Sequence, residues 1–243
     1  MKDFFEIYDT IISSVKEEKI QGLYSGERWT LCESASGSGL AMTTEGESVA
    51  PMFPSGLEKL STAEAAQAMK SWNLKEAGFG LAAANSVLNT AERLESLNCY
   101  EPFENYCTRG IDFHDKTVAL IGHMNGPADM RRVAKKVYIL ERDPKMGDYP
   151  DSACDFILPQ CDVVLITGSS LVNKTLPHLL ELCKNACTIL TGPSVPMCPE
   201  LLDLGFSRIA GLVPEKREDL RCHVVKSQNG TPYIFGRPFL FIK

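Results

Sequence analysis

Two metal-site spacings are missing from the 243 residues: there is no Cys-x-x-Cys and no His-Glu-x-x-His, so a closed structural zinc site is not readable in the chain. Gly-x-Ser-x-Gly is missing too, and neither Ser169 nor Ser194 has an assignable base, which leaves hydrolase chemistry without support. No run of Lys and Arg interleaved with aromatics occurs, and a formal net charge of -6 would repel a phosphate backbone. Nucleic acid is therefore not an expected partner. No stretch approaches the roughly 20 apolar residues that a bilayer span needs. Residues 1–19 carry Asp3, Glu6 and Asp9 among their apolar positions, so they lack the cationic start and apolar centre of a secretory signal. A cytoplasmic location is expected. No internal repeat or low-complexity tract stands out.

What is present is ordinary for a soluble globular protein: 44% hydrophobic and 23% charged residues, at a length that favours two domains. The nine cysteines are odd in number and unevenly spaced, as expected of reduced thiols packed as small hydrophobes. Cys183 and Cys187 straddle a helix end and a strand start, which reads as packing.

Residues 116–143, KTVALIGHMNGPADMRRVAKKVYILERD, hold a strand, a glycine turn, a short helix opened by Pro127, and a second strand with an acidic end. Such a unit implies parallel pairing through a right-handed crossover. The rhythm continues, with strands expected at 117–121, 137–140, 163–167, 188–191 and 208–211 and helices at 128–134, 173–184 and 199–204. Residues 222–242 read as a hairpin about Asn229-Gly230.

The first hundred residues differ. Phe4, Tyr8, Ile11 and Val15 recur at helical spacing, and the short segments 20–24, 28–32 and 39–43 read as an antiparallel meander. Residues 45–60 read as a loop. Ser61 and Glu64 form a capping box, and Asn73 caps a further helix expected to run to about Leu97. Gly78 and Gly80 near its start suggest close approach of another backbone or a ligand, or are a simple irregularity. The domain boundary is expected within 98–115, giving an α+β unit at 1–108 and an α/β unit at 109–243.

Open α/β sheets bind ligands at the carboxyl ends of their strands. Four polar or small segments should converge there: Gly122-His123-Met124-Asn125-Gly126-Pro127, Glu141-Arg142-Asp143, Thr167-Gly168-Ser169-Ser170 with Asn173 and Thr175, and Thr191-Gly192-Pro193-Ser194. A dinucleotide fingerprint would need glycine at 124 and 127, where Met124 and Pro127 stand, so NAD is not expected. Glu141 and Asp143 nevertheless lie roughly 20 residues on, where a ribose-binding acid sits, which keeps another nucleotide or S-adenosylmethionine open. His123 either binds a metal or exchanges a proton, or is a solvated turn residue. His114, His178 and His223 have no ligand-like spacing and read as structural or solvated. Cys198 follows the last segment, where a thiolate would be a soft metal ligand.

Gly122-His123, TGSSLVNKT at 167–175, GPSVP at 192–196, GLA at 39–41 and GLAAANSVLN at 80–89 together resemble the putative heavy-metal chelation family. The resemblance covers nearly the whole chain. It implies an enolase-N-terminal-like domain followed by a Rossmann-like domain, with a cleft between them that binds a heavy metal or its chelate. Carried over by position, it points to Asn85, Gly122, His123, Thr167, Gly168, Ser169, Asn173, Thr175, Gly192, Pro193 and Ser194. Ser170 and Val195 stand where the family pattern often has Thr; the hydroxyl is kept at 170 and lost at 195.

Three expectations follow. The first is a protein, or an enzyme of unknown reaction, that holds a transition metal ion or a metal chelate, with His123 as ligand, Glu141 and Asp143 as negative charge and the Ser, Thr and Asn loops on the organic part. The second is a nucleotide- or S-adenosylmethionine-binding enzyme. The third is a scaffold whose crevice is vestigial. Assembly as a homo-oligomer is left open.

Overall fold

The structure is a computed structural model that describes residues 4–97, 99, 106–124 and 126–243. Helix α1 (Glu6–Ser13) buries Ile7, Tyr8, Ile11 and Ile12, the stripe its spacing foretells. Strands β1 (Gly22–Ser25), β2 (Trp29–Glu33) and β3 (Ser38–Met42) form the expected antiparallel meander, with Leu31 opposite Leu40 and Trp29 opposite Met42. α2 (Thr62–Ala66) starts at the Ser61–Glu64 capping box, and Asn73 caps α3 (Leu74–Leu88) by accepting from the Glu76 amide. Gly80 is small because a neighbour is close. A Cβ there would lie 2.5 Å from the Met69 amide, whereas at Gly78 it would meet only ordinary contacts. The helix expected to reach Leu97 stops at Leu88, and α4 (Ala91–Ser96) begins after it. Asn89 makes the break, and its side chain is used elsewhere, as described below.

From residue 117 the chain builds β4 (Thr117–Ile121), α5 (Met130–Val133), β5 (Lys136–Glu141), β6 (Tyr149–Pro150), α6 (Cys154–Ile157), β7 (Val163–Thr167), α7 (Ser169–Val172), α8 (Leu176–Leu182), β8 (Cys187–Thr191), β9 (Arg208–Pro214), α9 (Arg217–Val225) and β10 (Gly236–Ile242). These strands form one sheet in the order β10-β9-β8-β7-β4-β5-β6, parallel throughout except for the β9–β10 pair. β7 and the middle of β4 are buried, as strands covered on both faces must be. The chain runs from β4 outward to β6 and then returns to the other side of β4 at β7. The strand order therefore reverses between β4 and β7, and the carboxyl ends of those two strands flank the switch point.

The expected hairpin at 222–242 is not formed. Leu220, His223 and Val224 are buried at helical spacing on α9, and β10 pairs with β9 instead. The helices expected at 128–134 and 199–204 shrink to the single turn of α5 and a 3-10 turn at Pro199–Leu202. One apolar cluster joins the two sheets, running from Tyr8 and Leu81 through Val164 and Leu190 to Phe239. Within it the Tyr8 hydroxyl donates to the Leu171 carbonyl at 2.9 Å. No described helix is long and apolar enough to cross a membrane.

Candidate functional site

A crevice of about 1150 Å³ opens at the carboxyl ends of β4, β5, β7 and β8. Its far side is closed by Arg28, Trp29, Met42 at the end of β3 with residues 43–45 after it, and residues 230–233 before β10. The described segments singled out from sequence thus meet in one place, together with an apolar surface from Trp29, Met42 and Tyr233.

The inner wall is built by the turns after β7 and β8. Thr167 and Ser169 share a hydroxyl hydrogen bond at 3.1 Å, Ser170 donates to the Thr167 carbonyl at 2.6 Å, and Asn173 accepts from the Thr175 amide and hydroxyl at 3.1 and 2.7 Å. Gly168 spaces the two turns: a Cβ there would lie 2.8 Å from Val195 Cγ2 and 2.9 Å from the Ser194 carbonyl carbon. Gly192 turns with φ of 127°, a conformation that disfavours any side chain. Four residues from the first half of the chain then clamp this second turn. The Met42 amide donates to Ser194 Oγ at 2.9 Å, and Asn85 Nδ2 donates to the Leu40 and Ser194 carbonyls at 2.7 and 3.1 Å. Asn89 Nδ2 donates to the Val195 and Leu212 carbonyls while its Oδ1 accepts from the Met197 amide at 2.9 Å, and Arg93 donates to the Met197 carbonyl at 2.7 Å. Asn85 is fully buried behind the wall, and its Oδ1 has no partner among the described residues.

The outer wall is polar and exposed. Gly122, with φ of 99°, swings His123 out of β4, and the His123 amide donates to Glu141 Oε1 at 2.7 Å. The other Glu141 oxygen accepts from the Arg142 amide at 3.2 Å. The His123 ring meets Asp148 through Nε2 at 2.7 Å, with the ring 43% exposed and the carboxylate 5%. The Lys145 amide first, and the His123 ring after it, hold Asp148 below the usual carboxylate range against the opposing effect of its desolvation. A second pair of the same kind lines the crevice: His178 Nε2 meets Asp155 Oδ1 at 2.9 Å, both side chains being more than half exposed.

Several expectations are corrected by these positions. Cys198 does not reach the crevice. It is fully buried against α1 and donates to Glu200 Oε2 at 3.0 Å, and burial, reinforced by Glu200, pushes its thiol up to about 12. Asp143 is exposed and off the crevice lining, Gly168 and Asn85 act from behind the wall, and Asn125 lies outside the described residues. His178, read as structural or solvated, stands in the crevice instead. Asp148 and Asp155 carry no signal in the sequence, because no local spacing connects them to histidines 25 and 23 positions away, and Trp29 and Met42 join the lining only through the packing of the meander on the sheet. No three His, Cys, Asp or Glu side chains among the described residues come together as a metal site.

Two family models, both described as putative heavy-metal chelation, match residues 8–88 and 111–239. In sequence the chain is similar to an uncharacterized protein of Methanocaldococcus jannaschii, 32% identical over 147 residues, which span 58% of this chain and 55% of that relative's length. In structure it is similar to a protein of unknown function from Desulfitobacterium hafniense, with a TM-score of 0.86 at 32% identity over 99% of this chain and 98% of that one. A second structure, from Pyrococcus horikoshii, superposes with a TM-score of 0.78 at 23% identity over 99% of each chain, a likeness of fold alone.

Proposed function

The chain belongs to the putative heavy-metal chelation family, and from that premise we propose that its crevice binds a metal chelate rather than a bare ion. The observation that carries this reading is the lining. The crevice of about 1150 Å³ exceeds what an ion requires and suits an organic molecule, yet no three side-chain donors among the described residues gather to chelate an ion unaided. On this reading Trp29, Met42 and Tyr233 cover the apolar part of the ligand. Thr167, Ser169, Ser170, Asn173, Thr175 and Ser194 hold its polar groups, Gly122, Gly192 and Pro193 shape the floor, and His123 supplies one nitrogen to the metal. We take 1–108 and 109–243 as the two domains between which the ligand sits.

An adenosyl ligand is the alternative, and the structure supports it less. A ribose would need a carboxylate at the end of β5, where Glu141 already holds two backbone amides and Asp143 is off the crevice lining. Native mass spectrometry of protein purified without affinity tag or chelator, paired with elemental analysis, tests the choice. A bound mass made of metal plus organic ligand is expected. An adenosyl-sized mass free of metal would overturn the reading.

A further inference from the structure

Two histidines, not one, line the crevice with a carboxylate behind the ring, and they come from different elements. His123 follows β4, whereas His178 sits in α8. Their carboxylates come from a single short stretch, Asp148 just before β6 and Asp155 in α6, so one segment orients both rings. A carboxylate only accepts, so in the neutral ring Nε2 carries the proton and Nδ1 keeps the lone pair. Nδ1 has no hydrogen bond in either ring among the described residues. Metal-binding histidines characteristically give their second nitrogen to a carboxylate, which fixes the tautomer and raises the basicity of the donor nitrogen.

We propose that His178, backed by Asp155, is a second imidazole donor in the crevice beside His123, and that the ligand is a complex of a borderline divalent metal whose own chelator leaves coordination positions open. This rests on the chelate reading above and narrows it. A coordinatively saturated complex would offer an imidazole nothing to bind, and a bare ion would find too few donors. Nδ1 of His178 would form its bond by replacing a metal-bound water, which leaves to solvent, so the step involves no change of oxidation state. Imidazole suits zinc, nickel and copper, whereas carboxylate and carbonyl donors suit magnesium and calcium, which the site should refuse.

The experiment is isothermal calorimetry with two nickel probes. Nickel nitrilotriacetate keeps open positions, and nickel ethylenediaminetetraacetate keeps essentially none. Wild type should bind the first and not the second. His178→Ala should weaken binding of the first by about tenfold or more, and Asp155→Ala, which keeps the ring but removes its partner, by about tenfold, in the range typical of lost outer partners. Both side chains are exposed, so the variants should melt with the wild type, and a matched thermal unfolding curve checks this. Unchanged affinity in His178→Ala, or equal binding of both probes, overturns the proposal while leaving the chelate reading in place. Absence of binding to nickel nitrilotriacetate in the wild type overturns the proposal as well, and the native mass spectrum then decides separately whether the broader reading falls with it.

Discussion

On one side of the crevice the turn at 192–197 is fastened from β3, α3, the break after it and α4 by the Met42 amide, Asn85, Asn89 and Arg93, nearly all of it buried; on the other, the rings of His123 and His178 stand in solvent, backed by a nearly covered Asp148 and an exposed Asp155. The difference follows from where water is. A buried carbonyl or amide left without a partner costs about 1–3 kcal/mol, so the inner wall has one arrangement and holds it. Exposed ring-to-carboxylate pairs contribute little to stability and can adjust to what arrives. The inner wall is a template, and the outer wall is where reactive nitrogen atoms are displayed.

The largest expected effect concerns the buried thiols. Burial pushes Cys32, Cys154, Cys183 and Cys198 up to about 12 and Cys161 up to about 11, from an ordinary 9.0. An acid whose folded pKa is raised keeps its proton in the native state while the unfolded chain gives it up. Stability from these thiols is therefore complete below pH 9 and lost as pH rises toward 12. Lys174, lowered to about 8 by burial, works the other way, adding stability as pH rises from about 8 to 10.5, but it is one group against five. Melting temperature should accordingly fall steeply above pH 9; a flat profile to pH 11 would show that the thiols are reached by water.

Next in size is the clamp itself. Asn89→Ala strips partners from the Val195 and Leu212 carbonyls and the Met197 amide, and should cost about 3 kcal/mol in urea unfolding. A loss below about 1 kcal/mol would mean that the wall stands without its clamp. The smallest effect belongs to the outer wall. Asp148 is held below the usual carboxylate range, so its contribution is complete above the unfolded value of 3.8 and disappears as pH falls through the lower folded value. Asp148→Asn, which cannot ionise, should lower the melting temperature slightly at pH 7 and converge with the wild type below the folded value, so that the acid limb flattens. A loss at pH 7 as large as that of Asn89→Ala would erase the contrast between the walls.

Much of this was legible in the chain. Apolar runs marked β4, β7, β8 and β9, Ser61 and Asn73 marked helix starts through caps that the structure contains, and small polar residues after each strand marked the floor of the crevice. These signals act over a few residues, where one hydrogen bond or one alternation decides the conformation. Asn229-Gly230 misled for the same reason: a turn signature is local, whereas burial of Leu220, His223 and Val224 against the rest of the molecule made the preceding residues helical. Cys198 misled because following a crevice segment in sequence does not place a side chain in the crevice; the chain turns inward at 195–198 and the thiol packs on α1.

What the sequence by itself determined is the inventory: an α+β beginning, a parallel sheet after it, and the placement of His123, Thr167 and Ser194 at strand ends, all consequences of periodicity and turn chemistry. Only the tertiary structure decided that the sheet reverses between β4 and β7, that Asp148 and Asp155 stand behind two histidines, and that Asn85 and Asn89 clamp a turn more than a hundred residues away. Those pairings join positions with no local relation to one another. They exist because one shared core holds both sheets in fixed register, so that a hydrogen bond between distant residues forms after the cost of bringing them together has already been met by apolar burial.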